Sequence, residues 1–400
     1  MAEKQVQSRR EESLRYASLH YEEQKSLQEI SKDDERHKDI KTISRIMNSG
    51  RKIWWQLKVL PLGETSETTI DETLSRQLRE ATVFSNAIVV NCSNVSHAQR
   101  DEFPPDEAEG PAAYVDSDIL HLRLSRHAAS YLLGRLGHGY KVGIGSGRAS
   151  TYTADFCCKD GRDGKARRLI GVEIFSLVGG VRDIRWGQEP VPELKDVPAN
   201  LDADEGASLL AEALGIQKHG SYLHLVNLPI SINTNDLPTV VKAIANHLFE
   251  MPDRLDMMIS GVGVLNTGHH FIVYRQGAGL SAISDDLKNL QELQLQNPAM
   301  LEGVGEVCHR LFWCGDGATP PDVQKIIEEV NSKVIAVPFN VISEAKELLL
   351  IAGGRQKLPV LTRLSRKAPS NIAQLPFKAD RITLVTDSWT AGKILNRKRS

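Results

Sequence analysis

The chain has 400 residues, of which 41% are hydrophobic and 25% are charged, and its formal net charge at pH 7 is -2. This composition is that of a globular protein with a sizeable core, and the charge excludes a polycation. The length favours two domains. No apolar run reaches the roughly 18 residues that a membrane span needs, and the N-terminus lacks an apolar signal core. We therefore expect a cytoplasmic protein that has no membrane partner.

Three short helices and a strand are predicted at the N-terminus. They cover residues 11–21, 26–34, 38–49 and 53–59. The second helix starts with Ser26 and Glu29, whose spacing is that of a capping box. This order of elements predicts a helix-turn-helix, winged-helix-like head over residues 1–60, followed by a linker over residues 61–70.

The head is more basic than the rest of the chain. Residues 1–60 carry 13 Lys and Arg against 10 Asp and Glu, whereas the remainder carries 36 against 41. The stretch from Arg36 to Lys58 holds seven basic residues and one acid, Asp39. A basic surface on a mildly acidic body indicates a small nucleic-acid-binding head on a larger sensor. A solvated helix surface is the alternative reading of this charge pattern.

A helix-turn-helix places its second helix in the major groove of double-stranded DNA, and here that is the helix over 38–49. Outward polar side chains of that helix would contact base edges. These are Lys41, Thr42, Ser44, Arg45 and Asn48. Basic residues on either side would hold phosphates, which position the head without specifying sequence. These are Arg36, Lys38, Arg51 and Lys52. An ordinary helical cap on the body is the alternative.

Residues 71–400 alternate short apolar runs with helical segments. The predicted strands cover residues 87–90, 141–144, 173–178, 222–226, 257–259, 334–337 and 382–385. The predicted helices cover residues 117–136, 205–214, 237–249, 321–331 and 341–350. Alternation at this spacing predicts an α/β domain in which a mostly parallel sheet has helices on both faces.

Cysteine and glycine spacings argue against a metal or a cofactor. The five cysteines are odd in number and include no Cys-x-x-Cys pair, so we expect free core thiols and no metal site. Residues 143–147 have Gly-x-Gly-x-Gly spacing, which is neither the dinucleotide fingerprint nor a Walker loop. The sequence therefore predicts no cofactor.

The same glycine-rich segment nevertheless suits an anion. A predicted strand leads into Gly145, Ser146, Gly147 and Arg148, after which a helix begins. Glycines let the backbone approach a ligand, and free N–H groups at a helix start point at negative charge. The hydroxyls of Ser146, Ser150 and Thr151 favour a ligand site over a plain turn.

Further glycine turns follow later apolar runs. Gly179, Gly263 and the pair at 353–354 each stand after such a run. In doubly wound sheets, ligands bind outside the carboxyl ends of the strands, so these turns could converge on one pocket. Any single one of them is more often only a tight turn.

Segments along nearly the whole chain resemble the SorC-type sugar-binding transcriptional regulators, a family that includes the central glycolytic gene regulator. The matching segments are residues 26–30, 42–47, 143–147, 178–181, 261–263, 304–312, 351–357 and 384–387. Each segment alone is weak, but their order and spacing are specific. The chain departs from the family pattern at Glu306, where an Asp is usual, at His309, where a Gly is usual, and at Arg148, which adds a cation.

The resemblance implies a Rossmann-like α/β/α effector domain over residues 71–400, of the ribose-phosphate isomerase and glucosamine-phosphate deaminase type, without their catalysis. It implies a sugar or sugar-phosphate effector, operator DNA and a homodimer or homotetramer as partners. By matching position, the segment 145–151 and Lys357 would hold the phosphate, and Glu306 and Asp387 would line the pocket. From the residues alone, Lys357 could lie on a helix surface and Asp387 could cap the following helix.

A sugar-phosphate isomerase or deaminase with an appended head is the competing hypothesis. Such an enzyme needs a positioned base that moves a proton on the sugar. The sequence places no acid or histidine beside the glycine-rich segment, and the basic head would have no role. We therefore expect a regulator that is not an enzyme.

Overall fold

The computed structural model describes the larger part of the chain after residue 68. The described ranges are 69–92, 111–163, 169–179, 203–215, 222–225, 254–264, 303–315, 318–366 and 378–396, together with positions 12, 15, 16, 31, 32 and 42. Of the predicted DNA-contacting residues, Thr42 is described, and it is helical and half-buried. The others lie outside the described residues, as do the predicted strand 53–59 and helix 237–249. No helix among the described residues is long and apolar enough to cross a membrane.

The chain divides into two compact units. One comprises Met1–Thr68 and Cys92–Arg123, and the other comprises Thr69–Asn91 and Leu124–Ser400. The predicted boundaries of head, linker and effector domain at residues 60 and 70 stay a prediction.

Seven of the described strands form one parallel sheet in the second unit. Their bounds are β1 Asn86–Val90, β2 Lys141–Ile144, β3 Glu173–Ser176, β4 Tyr222–His224, β5 Met257–Gly261, β9 Glu347–Ile351 and β10 Ile382–Asp387. Their spatial order across the sheet is β1-β10-β9-β5-β2-β3-β4. This confirms the predicted α/β class with a parallel sheet.

The described residues after position 68 form eight helices. They are α1 Glu72–Ala81, α2 Pro111–Arg135, α3 Arg148–Arg162, α4 Ala203–Ala213, α5 Pro321–Lys333, α6 Phe339–Glu344, α7 Leu358–Leu364 and α8 Ser388–Asn396. Helix α3 packs against α4, and α8 packs against α1 and α7. Asp71 caps α1 by accepting a hydrogen bond of 2.9 Å from the Leu74 amide.

A second, antiparallel sheet of three strands stands beside the first. It consists of β6 Gly263–Val264, β7 Val304–Val307 and β8 Arg310–Trp313 in that order. These strands were not predicted from the sequence. β6 has two residues, and β6 and β7 contain Gly263, Gly305 and Glu306, residue types that are uncommon in strands.

The central strands are buried on both faces, as parallel strands between helix layers are. Every residue of β10 is buried, and four of the five residues of β9 are buried. The prediction of one helix over 341–350 is wrong, because α6 ends at Glu344 and β9 occupies Glu347–Ile351. A continuous apolar run is compatible with a buried helix and with a buried strand. Residues 347–351 form a strand because they pair with β5 on one side and β10 on the other.

Residues 334–337, predicted as a strand, lie outside both sheets. Ala336 forms an isolated antiparallel bridge with Val178, and a backbone hydrogen bond lies on either side of it. The Gly179 amide donates to the Ile335 carbonyl at 2.7 Å, and the Val337 amide donates to the Leu177 carbonyl at 2.8 Å. The remaining predicted strands and helices between residues 87 and 385 that lie in the described ranges are confirmed. Their ends agree to about two residues, except that α2 begins at Pro111 instead of residue 117.

Candidate functional site

The candidate site lies where the strand order of the main sheet reverses. From β2 the chain proceeds outward to β3 and β4, and it then returns to the opposite side of β2 with β5. Ligands of open α/β sheets bind outside the carboxyl ends of strands at such a switch point. Gly145 follows β2 there, and its amide donates to the Ile259 carbonyl of β5 at 2.8 Å.

Residues 145–148, here called the anion loop, connect β2 to α3. Gly147 stands at the N-cap of α3 with φ 104°, a left-handed region that favours glycine. A Cβ at Gly145 would lie 3.3 Å from both the Cys308 Sγ and the Ser260 Oγ, so the loop runs close to these side chains. The four residues after β2 thus end at a helix start whose first amide groups have no partner within the helix.

The hydroxyls predicted for the anion site separate into two groups. Ser146 is half-buried in the loop, whereas Ser150 and Thr151 are buried inside α3 with 0% and 2% exposure. The Thr151 hydroxyl donates to the Gly147 carbonyl at 3.1 Å, which stabilises the first turn of the helix. Of the three, Ser146 is therefore the hydroxyl most accessible to a ligand.

A strained hairpin turn faces the anion loop. Cys308 and His309 connect β7 to β8, and their φ angles are 50° and 58°. Two successive positive φ values are those of a type I′ turn, which usually holds Asn-Gly. A histidine in this conformation costs on the order of 1 kcal/mol, so the surrounding contacts must hold it there.

Hydrogen bonds clamp this hairpin onto helix α5. The Asn331 side chain accepts from the Leu311 amide at 2.9 Å and donates to the Leu311 carbonyl at 2.8 Å. Arg310 is partly buried, and its guanidinium donates to the carbonyls of Asn331, Ala336 and Val337. Burial lowers the pKa of Arg310 to about 10, so it remains a cation at neutral pH. These bonds fix the β7–β8 hairpin, and with it the turn, on α5 and the segment that follows it.

Ser146, His309 and Glu306 are joined in a row. The His309 Nε2 is hydrogen-bonded to the Ser146 Oγ. The His309 Nδ1 lies 2.9 Å from the Glu306 Oε1, and the same oxygen accepts from the His309 backbone amide at 3.1 Å. All three side chains are at least half-buried. The structure thus places His309, which was not predicted as a site residue, beside the loop together with Glu306, which the resemblance had assigned to the pocket. The β7–β8 turn brings them there across about 160 residues of chain.

Two cations lie near this row. Lys357 ends the 3-10 turn Arg355–Lys357 after β9, and this turn contacts β6. Burial lowers the pKa of Lys357 to about 8, the positive charge of Arg148 lowers it as well, and the Glu306 carboxylate opposes both. Arg148 and Glu306 therefore both interact electrostatically with Lys357.

Gly263 and Gly179 were predicted to line the effector site, and the structure gives each of them a role in the fold. Gly263 pairs with Glu306 across β6 and β7, and a Cβ there would overlap the Glu306 side chain. The glycine therefore makes room for the carboxylate. The Gly179 amide is used by the bridge to Ile335, so this turn supports the fold.

Asp387, the last residue of β10, has its oxygens engaged within the protein. Its Oδ1 accepts from the Thr390 amide at 2.9 Å, and its Oδ2 accepts from the Thr390 hydroxyl at 2.6 Å and the Gly354 amide at 2.9 Å. Gly354 has φ 85°, and a Cβ at Gly353 would overlap the Asp387 carboxylate. Asp387 thus caps α8 and fixes the glycine turn that precedes Lys357.

His309 is the site residue that sequence reasoning did not select. Its signal in the sequence is the pair Cys308-His309 between two short apolar runs, a two-residue hairpin connection without the usual Asn or Gly. The buried thiols were predicted correctly: all five cysteines are free and buried.

No protein-family model and no curated protein matches the chain. Solved structures do match. The full-length sorbitol operon regulator SorC of Klebsiella pneumoniae is 17% identical with a TM-score of 0.50, and the match covers 96% of this chain and 98% of that one. A transcriptional regulator of Streptococcus pneumoniae is 15% identical with a TM-score of 0.51, covering 82% and 97%.

A third structure is a domain assigned as sugar-binding in a transcriptional repressor of Vibrio fischeri. It is 14% identical with a TM-score of 0.51, and the match covers 82% of this chain and 99% of that one. At sequence identities this low, the similarity establishes only a shared fold. The chain therefore has the fold of these regulators, and the resemblance to SorC-type proteins is confirmed at that level.

Proposed function

We propose that this protein is a transcription regulator whose operator affinity is controlled by a sugar or sugar-phosphate effector. In this proposal the head, residues 1–60, binds double-stranded operator DNA, and the α/β domain, residues 71–400, binds the effector without turning it over. The domain is of the isomerase and deaminase type named above. A protein that binds operator DNA acts in the cytoplasm.

One observation carries the proposal: the candidate anion site belongs to a chain whose fold matches that of a full-length operon regulator, with 96% of this chain covered. The pocket supplies a helix start, a half-buried hydroxyl and two cations, Arg148 and Lys357. These groups suit a phosphate, and Glu306 can accept hydrogen bonds from sugar hydroxyls. The two regulator structures that cover 82% of the chain match about 328 residues, close to the length of 71–400.

The effector is expected to act through Lys357 and Ser146. In the wild type, effector binding should change operator affinity by about 5–150-fold, the usual range for coupled sites. Lys357→Ala and Ser146→Ala should abolish this change while DNA binding without effector stays intact. Calorimetry against a panel of sugars and sugar phosphates, followed by operator titrations, measures both. Wild-type responses in both variants would contradict the pocket.

Effector affinity should fall as the pH rises through the pKa of Lys357. Because this pKa is about 8, the ammonium is mostly present at neutral pH and is lost above that value. A phosphate monoester is already doubly charged above pH 7. Its affinity should therefore drop about tenfold between pH 7 and pH 9, as measured by calorimetry in buffers of matched ionic strength.

Lys357→Arg is the matched control for this pH dependence. Arginine keeps its charge throughout this range, so the affinity of the variant should be nearly independent of pH. An equal drop in the wild type and in Lys357→Arg would assign the effect to another group.

We expect a homodimer or homotetramer. One head covers a short DNA site, and useful specificity normally needs two half-sites that a two-fold protein matches. Sedimentation in the presence and absence of operator should give a multiple of the 44.3 kDa chain mass. A species of monomer mass only, at micromolar concentration in both conditions, would exclude this expectation.

A sugar-phosphate isomerase or deaminase is the second candidate, favoured by the histidine and acid beside the anion loop. However, His309 and Glu306 are engaged with each other and with Ser146. An isomerase assay on sugar phosphates, run beside a gel shift with the DNA upstream of the gene, separates the two functions.

A further inference from the structure

We propose that Ser146, His309 and Glu306 act as nucleophile, base and orienting group in the cleavage of small carboxylic esters that carry an anionic group. This activity goes beyond the proposed regulatory function and does not depend on it.

Ser146 has the position of a reactive hydroxyl. It stands in the tight turn between a parallel strand and a helix, at the carboxyl edge of the sheet, and it is half-buried. Its Oγ is in hydrogen-bond contact with an imidazole nitrogen. A serine becomes nucleophilic when an adjacent base accepts its proton, and a third group must orient that base.

His309 and Glu306 supply the base and the orienting group. For the Nε2 to accept the Ser146 proton, the Nδ1 must carry its own proton. The Glu306 Oε1 lies 2.9 Å from this nitrogen but outside hydrogen-bond geometry, so the carboxylate stabilises the ring through its charge. Glu306 also accepts from the His309 amide and thereby holds the turn. The backbone of His309 has a φ of 58°, and in this conformation its imidazole contacts Ser146. Backbone strain of this kind clusters at functional sites.

The surroundings provide the remaining parts of such a site. The amide groups at the start of α3 can stabilise an oxyanion, and Arg148 and Lys357 can bind the anionic part of the ester. The neighbouring Cys308 does not compete as a nucleophile, because burial raises the pKa of its thiol to about 12.

The reaction is balanced with water as the only reactant besides the ester. The Ser146 Oγ attacks the ester carbonyl while its proton passes to the His309 Nε2. The tetrahedral adduct collapses, the carbon–alkoxide bond breaks, and His309 protonates the leaving alcohol. Water then attacks the acyl-serine, gives a proton to His309, and releases the acid as Ser146 recovers its proton. The net reaction converts ester and water into acid and alcohol.

Labelling of the full chain with a fluorophosphonate at neutral pH, located by peptide mass spectrometry, tests the nucleophile. Ser146 should be labelled in the wild type and in Ser130→Ala, which removes an exposed hydroxyl of α2. Ser146→Ala should lose this label. His309→Gly should be labelled at least about 100-fold more slowly, since a general base contributes this much or more. Glycine tolerates the positive φ at position 309, so this variant is expected to fold.

The ester preference is tested by hydrolysis of mono-para-nitrophenyl succinate and of para-nitrophenyl acetate. The anionic ester should be preferred, and Lys357→Ala should reduce that preference. The proposal is overturned if Ser146 of the folded wild type is not labelled, if His309→Gly is labelled at the wild-type rate, or if hydrolysis survives Ser146→Ala. Operator binding, measured by gel shift on the same samples, reports separately on the regulatory function.

Discussion

A chain that begins at residue 62 is expected to lose at least about 1,000-fold in affinity for the operator. Specific binding exceeds non-specific binding by this factor or more, and the truncation removes the predicted base-contacting and phosphate-contacting residues together. The remaining body carries 36 basic against 41 acidic residues after position 60, so it should repel DNA. Fluorescence anisotropy with labelled operator at fixed salt concentration measures the loss. Full affinity in the truncated chain would refute the assignment of the head.

Two point variants distinguish base contacts from phosphate contacts in the head. Arg45→Ala should cost roughly 1–3 kcal/mol on the cognate site and little on random DNA, because a bidentate contact to guanine carries specificity. Lys52→Ala should weaken all sequences alike and flatten the salt dependence. If both variants affect cognate and random DNA equally, the helix over 38–49 does not read the bases.

Asp387→Ala should lower the free energy of unfolding by about 3–5 kcal/mol. The carboxylate is 4% exposed and accepts three hydrogen bonds, two from Thr390 and one from the Gly354 amide. Its removal takes away the cap of α8 and leaves the buried Thr390 amide and hydroxyl without their acceptor, each at a cost of about 1–3 kcal/mol. The Gly354 amide keeps the Thr390 hydroxyl oxygen as an acceptor at 2.8 Å. Urea denaturation followed by circular dichroism gives the value.

Asp380→Ala is the matched control for this variant. Asp380 is an exposed aspartate just before β10, so its removal should change stability by less than about 0.5 kcal/mol. An Asp387→Ala protein as stable as Asp380→Ala would show that the carboxylate serves only a ligand and does not hold the glycine turn.

The sequence by itself determined the class of the fold and the position of the anion loop. Short apolar runs separated by amphipathic segments require a parallel sheet between helices, because only that arrangement buries both faces of such strands. The order of strand, glycines and helix at 141–151 predicted a helix start for an anion, and Ser146, Gly147 and Arg148 lie there. These features are local, so they can be read from adjacent residues.

Only the tertiary structure decided the features that depend on distant parts of the chain. The run at 347–351 is a strand because it is flanked by β5 and β10, which local periodicity does not reveal. His309 reaches Ser146 because a strained two-residue turn, clamped by Arg310 and Asn331, projects it across the loop. Asp387 had been equally compatible with a cap and a ligand, and its three hydrogen bonds show that it caps α8. In each case burial and hydrogen bonding between distant segments outweigh local preference, and such contacts exist only in the folded chain.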